Sequence, residues 1–219
     1  MKFGLVRDLY KKGFKGEGFY DKKSWIVKSH YPETAEENKY QIEKALFIVR
    51  NPVDAIISFF NMTATQTHDM QIFEEDYHLL DKIFKDFVEQ EVTVYRDFNN
   101  FWLKQKIPVH LMRFEDILLN PMYAYTEAMK FIFGVTSIEG TVLEKHINMV
   151  CGGQAPKIYE PKGARTMKNY DRYSKEQIDF IYETCKDLIK KFGYEETFTG
   201  VSETDQLAYI KLHNKMNFE

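Results

Sequence analysis

Arg50 ends an apolar run, and the chain then turns at once into a segment that reads as a helix: LFIVRNPVDAIISFF, residues 46–60. Asn51 suits the N-cap, Pro52 the first helical position and Asp54 the first turn. A helix start leaves backbone N–H groups unpaired and carries the positive end of the helix dipole, so it favours an anion. An arginine at the preceding strand end adds a planar cation able to hold an oxyanion through two hydrogen bonds. Ser58, two turns along, can donate a hydroxyl if its face lines the same crevice. A carboxylate partner for Arg50 and an ordinary helix start explain the same residues. Spacing alone leaves both readings open.

A second group lies upstream in Trp25-Ile26-Val27-Lys28-Ser29-His30-Tyr31-Pro32. Side chains alternate along a strand, so Lys28 and His30 fall on one side. At a strand's C-terminal end that side can face the crevice where α/β folds bind ligands. A lysine beside a histidine disfavours the imidazolium and leaves the ring available as a base near neutrality. A solvated Lys28 and an interface His30 account for the same pattern, and spacing by itself favours that plainer reading. Two further clusters follow. In Arg113-Phe114-Glu115-Asp116-Ile117 a strand hands over to a helix, and its acids are explained by capping. In Pro161-Lys162-Gly163-Ala164-Arg165 a basic loop with a glycine allows close backbone approach to a phosphate. The remaining histidines show no metal-ligand spacing, so no metal is expected.

Periodicity predicts the strands and helices that carry these residues. Ser24 to Lys28, Ala45 to Arg50 and Val109 to Phe114 read as buried strands. Residues 52–61, 73–103, 121–133, 137–149 and 175–191 read as helices, the last with a Ser174/Gln177 capping box and Gly193 as terminator. Strands alternating with helices predict an α/β domain with a mainly parallel sheet. Residues 1–199 are expected to form one domain and 200–219 a polar C-terminal tail.

Composition narrows the field. The chain has 219 residues and a net charge of −3 from 33 acids and 30 bases, which argues against a polycationic nucleic-acid binder. Two cysteines exclude a disulfide scaffold and a four-cysteine zinc site. No apolar run approaches the roughly 18 residues of a membrane span, and no signal-peptide core opens the chain. As written it is expected to be soluble and to carry no targeting signal.

Taken in order, these segments resemble the sulfotransferases that use 3′-phosphoadenosine 5′-phosphosulfate (PAPS). Arg50, Asn51, Pro52, Asp54 and Ser58 match the family's R-N-P-x-D motif and its later serine. Lys28-Ser29-His30-Tyr31-Pro32 is similar to its K-T-H-x-P stretch, Phe114-Glu115-Asp116 to its Y-E-D segment and Pro161-Lys162-Gly163 to its R-K-G loop. The likeness runs from about residue 15 to 195. The stretch GFKGEGF at 13–19 is similar to the WSC-domain-containing Golgi branch.

The resemblance implies a P-loop NTPase-like three-layer fold and PAPS as co-substrate. It makes His30 the general base on an acceptor hydroxyl and places Lys28 near the transferring sulfuryl group. Arg50 and Ser58 would bind the 3′-phosphate, Phe114 would line the nucleotide site, and Lys162 and Gly163 would close over it. Arg165 could replace the family arginine whose place Pro161 takes. The acceptor would be a hydroxyl compound, a glycan among the candidates, and a full-length relative would work at the Golgi membrane or in its lumen.

The family's opening strand and its P-S-G-T-T-W-like phosphosulfate loop have no counterpart here. The chain is therefore expected to be an N-terminally incomplete copy, its sheet lacking the first strand and leaving strand edges open. A non-catalytic relative that keeps the fold and a nucleotide site is the alternative. A different P-loop-like phosphotransfer protein is disfavoured, because no phosphate-cradling Gly-Lys loop or Mg²⁺ motif is present.

Overall fold

Alternation along two short apolar runs sets the architecture. In the computed structural model, residue 26 and residues 42–66, 72–154 and 170–198 are described. Strands β1 (Ala45–Val49) and β2 (Val109–Arg113) pair in parallel, Ala45 opposite Val109 and Val49 opposite Arg113. A parallel pair needs a long crossover. Here it is α1 (Pro52–Thr65), a 3-10 segment (Glu74–Leu80) and α2 (Asp81–Leu103). After β2 come α3 (Phe114–Leu119), α4 (Pro121–Phe133), α5 (Val142–Cys151), a short 3-10 turn, α6 (Lys175–Phe192) and α7 (Glu195–Phe198). Among the described residues the chain is thus mixed α/β, mostly helical, with a two-stranded parallel sheet.

Helices cover both faces of the sheet. On one, Phe47 and Val49 join Ile57 and Phe60 of α1, Val88 and Val92 of α2, and Ile181 and Phe192 of α6 in the main core. The Phe47 ring packs on Phe98, Trp102 and Phe192 at centroid distances of 5.9, 6.2 and 6.4 Å. On the other face Met112 packs with Ala124 and Ala128 of α4, and His110 stacks on Phe131 at 5.3 Å. Lys44 donates to the carbonyls of Phe131 and Ile132, joining the start of β1 to the C-terminal end of α4, where a cation suits the dipole. On that second face Leu46 and Ile48 of β1 are 37% and 53% exposed.

Helix ends follow the sequence closely in some places and not in others. Asn51 caps α1, the Ser174/Gln177 box opens α6, and Gly193 at φ 70° ends it. The single helix expected over 73–103 divides at Leu80, because the apolar recurrence that marks a helix does not separate an α turn from a 3-10 turn. The helix expected from Ser137 starts at Val142 instead. Gly140 takes φ 71° just before it, and Thr141 supplies the cap by accepting from the Glu144 N–H. Of the strand expected at Ser24 to Lys28 only Ile26 is described, and it is neither strand nor helix. The tail from residue 200 lies outside the described residues.

Candidate functional site

The turn from β1 into α1 is held from several sides by side chains distant in sequence. Tyr95 of α2 donates its hydroxyl to the Arg50 carbonyl at 2.8 Å. The Asn51 N–H donates to Glu115 Oε1 at 2.9 Å, so both faces of the Arg50–Asn51 peptide are tied to other elements. Asn51 Oδ1 accepts from the Val53 N–H at 2.9 Å, which completes the N-cap. Tyr173 donates to the Val53 carbonyl at 2.7 Å. Hydrogen bonds of this kind, buried and partly charged, contribute on the order of 1–3 kcal/mol each, so the turn is pinned.

Arg50 projects from this pinned turn. Its guanidinium lies over the Phe114 ring, 4.7 Å from the centroid. Its Nε is buried, and among the described residues it has no hydrogen-bond partner. A buried guanidinium N–H without an acceptor is costly and is a natural place for an oxyanion to dock. Ser58 is exposed on α1, seven residues beyond Asn51. Seven residues are about two helical turns, so both lie on one stripe of the helix. At this helix start the Asn51 and Val53 N–H groups are already taken by Glu115 and by the Asn51 side chain, and the Arg50 Nε is the buried donor that has no partner among the described residues.

Glu115 and Asp116 do more than cap α3. Asp116 forms a two-contact ion pair with the buried Arg113, whose Nε donates at 2.7 Å. Glu115 is 5% exposed and, besides Asn51, accepts from the Tyr194 hydroxyl at 2.8 Å. Burial pushes its carboxyl above the ordinary carboxylate value, against the opposing pull of the Asn51 N–H, the Tyr194 hydroxyl and the Arg50 charge. Burial likewise raises Tyr95 and Tyr194 well above the usual phenol value, so both remain donors at neutral pH. Sequence alone offers Tyr95 only as one more aromatic within the helical stretch 73–103. The acceptors of Tyr95, Tyr173 and Tyr194 lie 45 to 120 residues away, and no local pattern reports such partners.

Of the residues picked from sequence, the structure brings Arg50 and Phe114 into contact and leaves Ser58 exposed on the helix that follows Arg50. Lys28, His30, Lys162, Gly163 and Arg165 lie outside the described residues. A cleft of about 400 Å³ between α4 and α5 is lined by Met122, Thr126, Lys130, Ile138, Glu144 and their neighbours. It contains none of the residues picked from sequence. Lys130 there is paired with Glu127 at 2.7 Å, and Glu144 accepts from the Gly140 N–H. Among the described residues no group of three or more His, Cys, Asp or Glu side chains is arranged for a metal ion. No helix among them is long and apolar enough to cross a membrane. No family model matches the chain, and no solved structure matches it.

Proposed function

We propose that this chain is a sulfotransferase-type domain that binds PAPS and transfers its sulfuryl group to an acceptor hydroxyl, with a glycan as one acceptor class. The observation that carries the reading is Arg50. Its buried Nε has no acceptor among the described residues, its guanidinium rests on Phe114, and it stands where a parallel strand hands over to a capped helix. The 3′-phosphate of the nucleotide fits that place, with Ser58 as a further donor along the same helix. In sequence, Lys28 and His30 supply what transfer needs. His30 takes the acceptor's proton while the new O–S bond forms and the S–O bond to the 5′-phosphate breaks; Lys28 offsets charge on the transferring group. Lys162, Gly163 and Arg165 are assigned to closure over the nucleotide.

The work asked of the protein is positioning and charge stabilisation, as in phosphoryl transfer. A sulfate-transfer assay with PAPS and a panel of hydroxyl acceptors tests the reading, with His30→Ala as control. Turnover that is lost in His30→Ala supports it. Tight binding of adenosine 3′,5′-bisphosphate with no transfer to any acceptor instead identifies a non-catalytic nucleotide binder of the same type.

A further inference from the structure

Gly193 ends α6 in the left-handed conformation, at φ 70°, and this turns the next residue inward. The Tyr194 N–H reaches back to the Ile189 carbonyl at 2.8 Å, and the side chain is 1% exposed. Its hydroxyl ends on Glu115 Oε2, while Oε1 of the same carboxylate takes the Asn51 N–H. A continuous hydrogen-bonded line therefore runs from the end of α6, through the start of α3, to the peptide that carries Arg50. Phe114, the neighbour of Glu115, supports the guanidinium itself.

We propose that Tyr194 and Glu115 are positioning residues: by holding the Asn51 N–H they fix the Arg50–Asn51 peptide, and so set how the Arg50 guanidinium is presented to an oxyanion. They act from the interior, without touching the ligand. Removing the Tyr194 hydroxyl takes one donor from the carboxylate and so loosens its hold on the Asn51 side of the peptide, while Tyr95 keeps the Arg50 carbonyl. Misplacement of a binding group by about 1 Å is enough to weaken its contacts markedly. The consequence for ligand binding rests on the anion-site reading above; the strut itself does not.

Arginine-selective labelling with phenylglyoxal, mapped by mass spectrometry on the full chain, reads the strut directly. Arg96, whose side chain is 40% exposed and paired with Asp97, serves as the internal reference. In Tyr194→Phe the ratio of labelling at Arg50 to that at Arg96 should rise about threefold or more; Glu115→Gln, which keeps only a neutral acceptor for Asn51, should raise it less. Either variant suffices if the other fails to fold. A ratio within about 1.5-fold of the wild type in the folded variants overturns the proposal, since loss of a hydrogen bond worth ~1 kcal/mol would move it further. Binding of adenosine 3′,5′-bisphosphate is measured in parallel. If the ratio shifts while the wild type does not bind the nucleotide, the strut stands and the anion-site reading falls.

Discussion

The guanidinium of Arg50 lies 4.7 Å from the centre of the Phe114 ring, and sheet register is what brings the two together. Val49 pairs with Arg113, so the next residue on each strand, Arg50 and Phe114, leaves the sheet at the same edge. A cation over an aromatic face gains about 0.5–2 kcal/mol, and the ring also holds the guanidinium plane in one orientation. Phe114→Leu keeps apolar bulk and loses the ring. It should weaken adenosine 3′,5′-bisphosphate binding about fivefold (~1 kcal/mol), measured by calorimetry, while Phe114→Tyr should bind as the wild type does.

Glu115 gives stability a definite pH dependence. Its carboxyl holds a proton more tightly in the folded chain than in the unfolded one, because burial raises it above the ordinary value. Its contribution is therefore fully present below the unfolded carboxylate value and is lost as pH rises through the higher folded value. Arg50, Tyr194 and Tyr95 are the charged or titratable groups set around it. Unfolding by urea across pH 4 to 8, a window set from the unfolded carboxylate value of about 4.3 upward, should show this fall in the wild type. Glu115→Gln should show a flatter profile, and an equally steep one would remove Glu115 as its source.

Asn61 stands in an N-x-T sequon, Asn61-Met62-Thr63, yet both its amide nitrogen and its amide oxygen are hydrogen-bonded within the fold. Nδ2 donates to the Ile57 carbonyl at 3.0 Å, and Oδ1 accepts from the Ile72 N–H and the Tyr77 hydroxyl, each at 3.0 Å. The two bonds to Oδ1 tie α1 to Ile72 and to Tyr77 of the 3-10 segment. Asn61→Ala should cost about 2–3 kcal/mol of stability, read as a drop in the urea midpoint with unchanged slope. Folded protein from a glycosylating host should carry no glycan at Asn61, checked by intact mass.

The local half of this structure is written in local chemistry. Asn51-Pro52 before an apolar helix, Ser174 with Gln177, and Gly193 after Phe192 each fix a helix end through bonds between near neighbours, and each is found where the spacing placed it. The strands expected to end at Arg50 and Phe114 each stop one residue earlier, at Val49 and Arg113. The support of the site was not legible in this way. Glu115 reads as a first-turn acid, and nothing local distinguishes that from a carboxylate gripping Asn51 and Tyr194, 64 and 79 residues away. Tyr95 and Tyr173 look like core aromatics until the fold brings their hydroxyls to the carbonyls of Arg50 and Val53. The division at Leu80 and the late start at Val142 escaped for a smaller reason. Apolar recurrence marks a face, while a 3-10 turn and a left-handed glycine are decided by the turns on either side.

In the proposed function Arg50 holds the 3′-phosphate of a nucleotide. Calorimetric titration of the full chain with adenosine 3′,5′-bisphosphate, wild type beside Arg50→Ala, tests it most directly. Loss of a charge-assisted bidentate contact, ~2 kcal/mol or more, predicts binding by the wild type and a weakening of about 30-fold or greater in the variant. Equal affinity in the two proteins, or no binding by the wild type, contradicts the account.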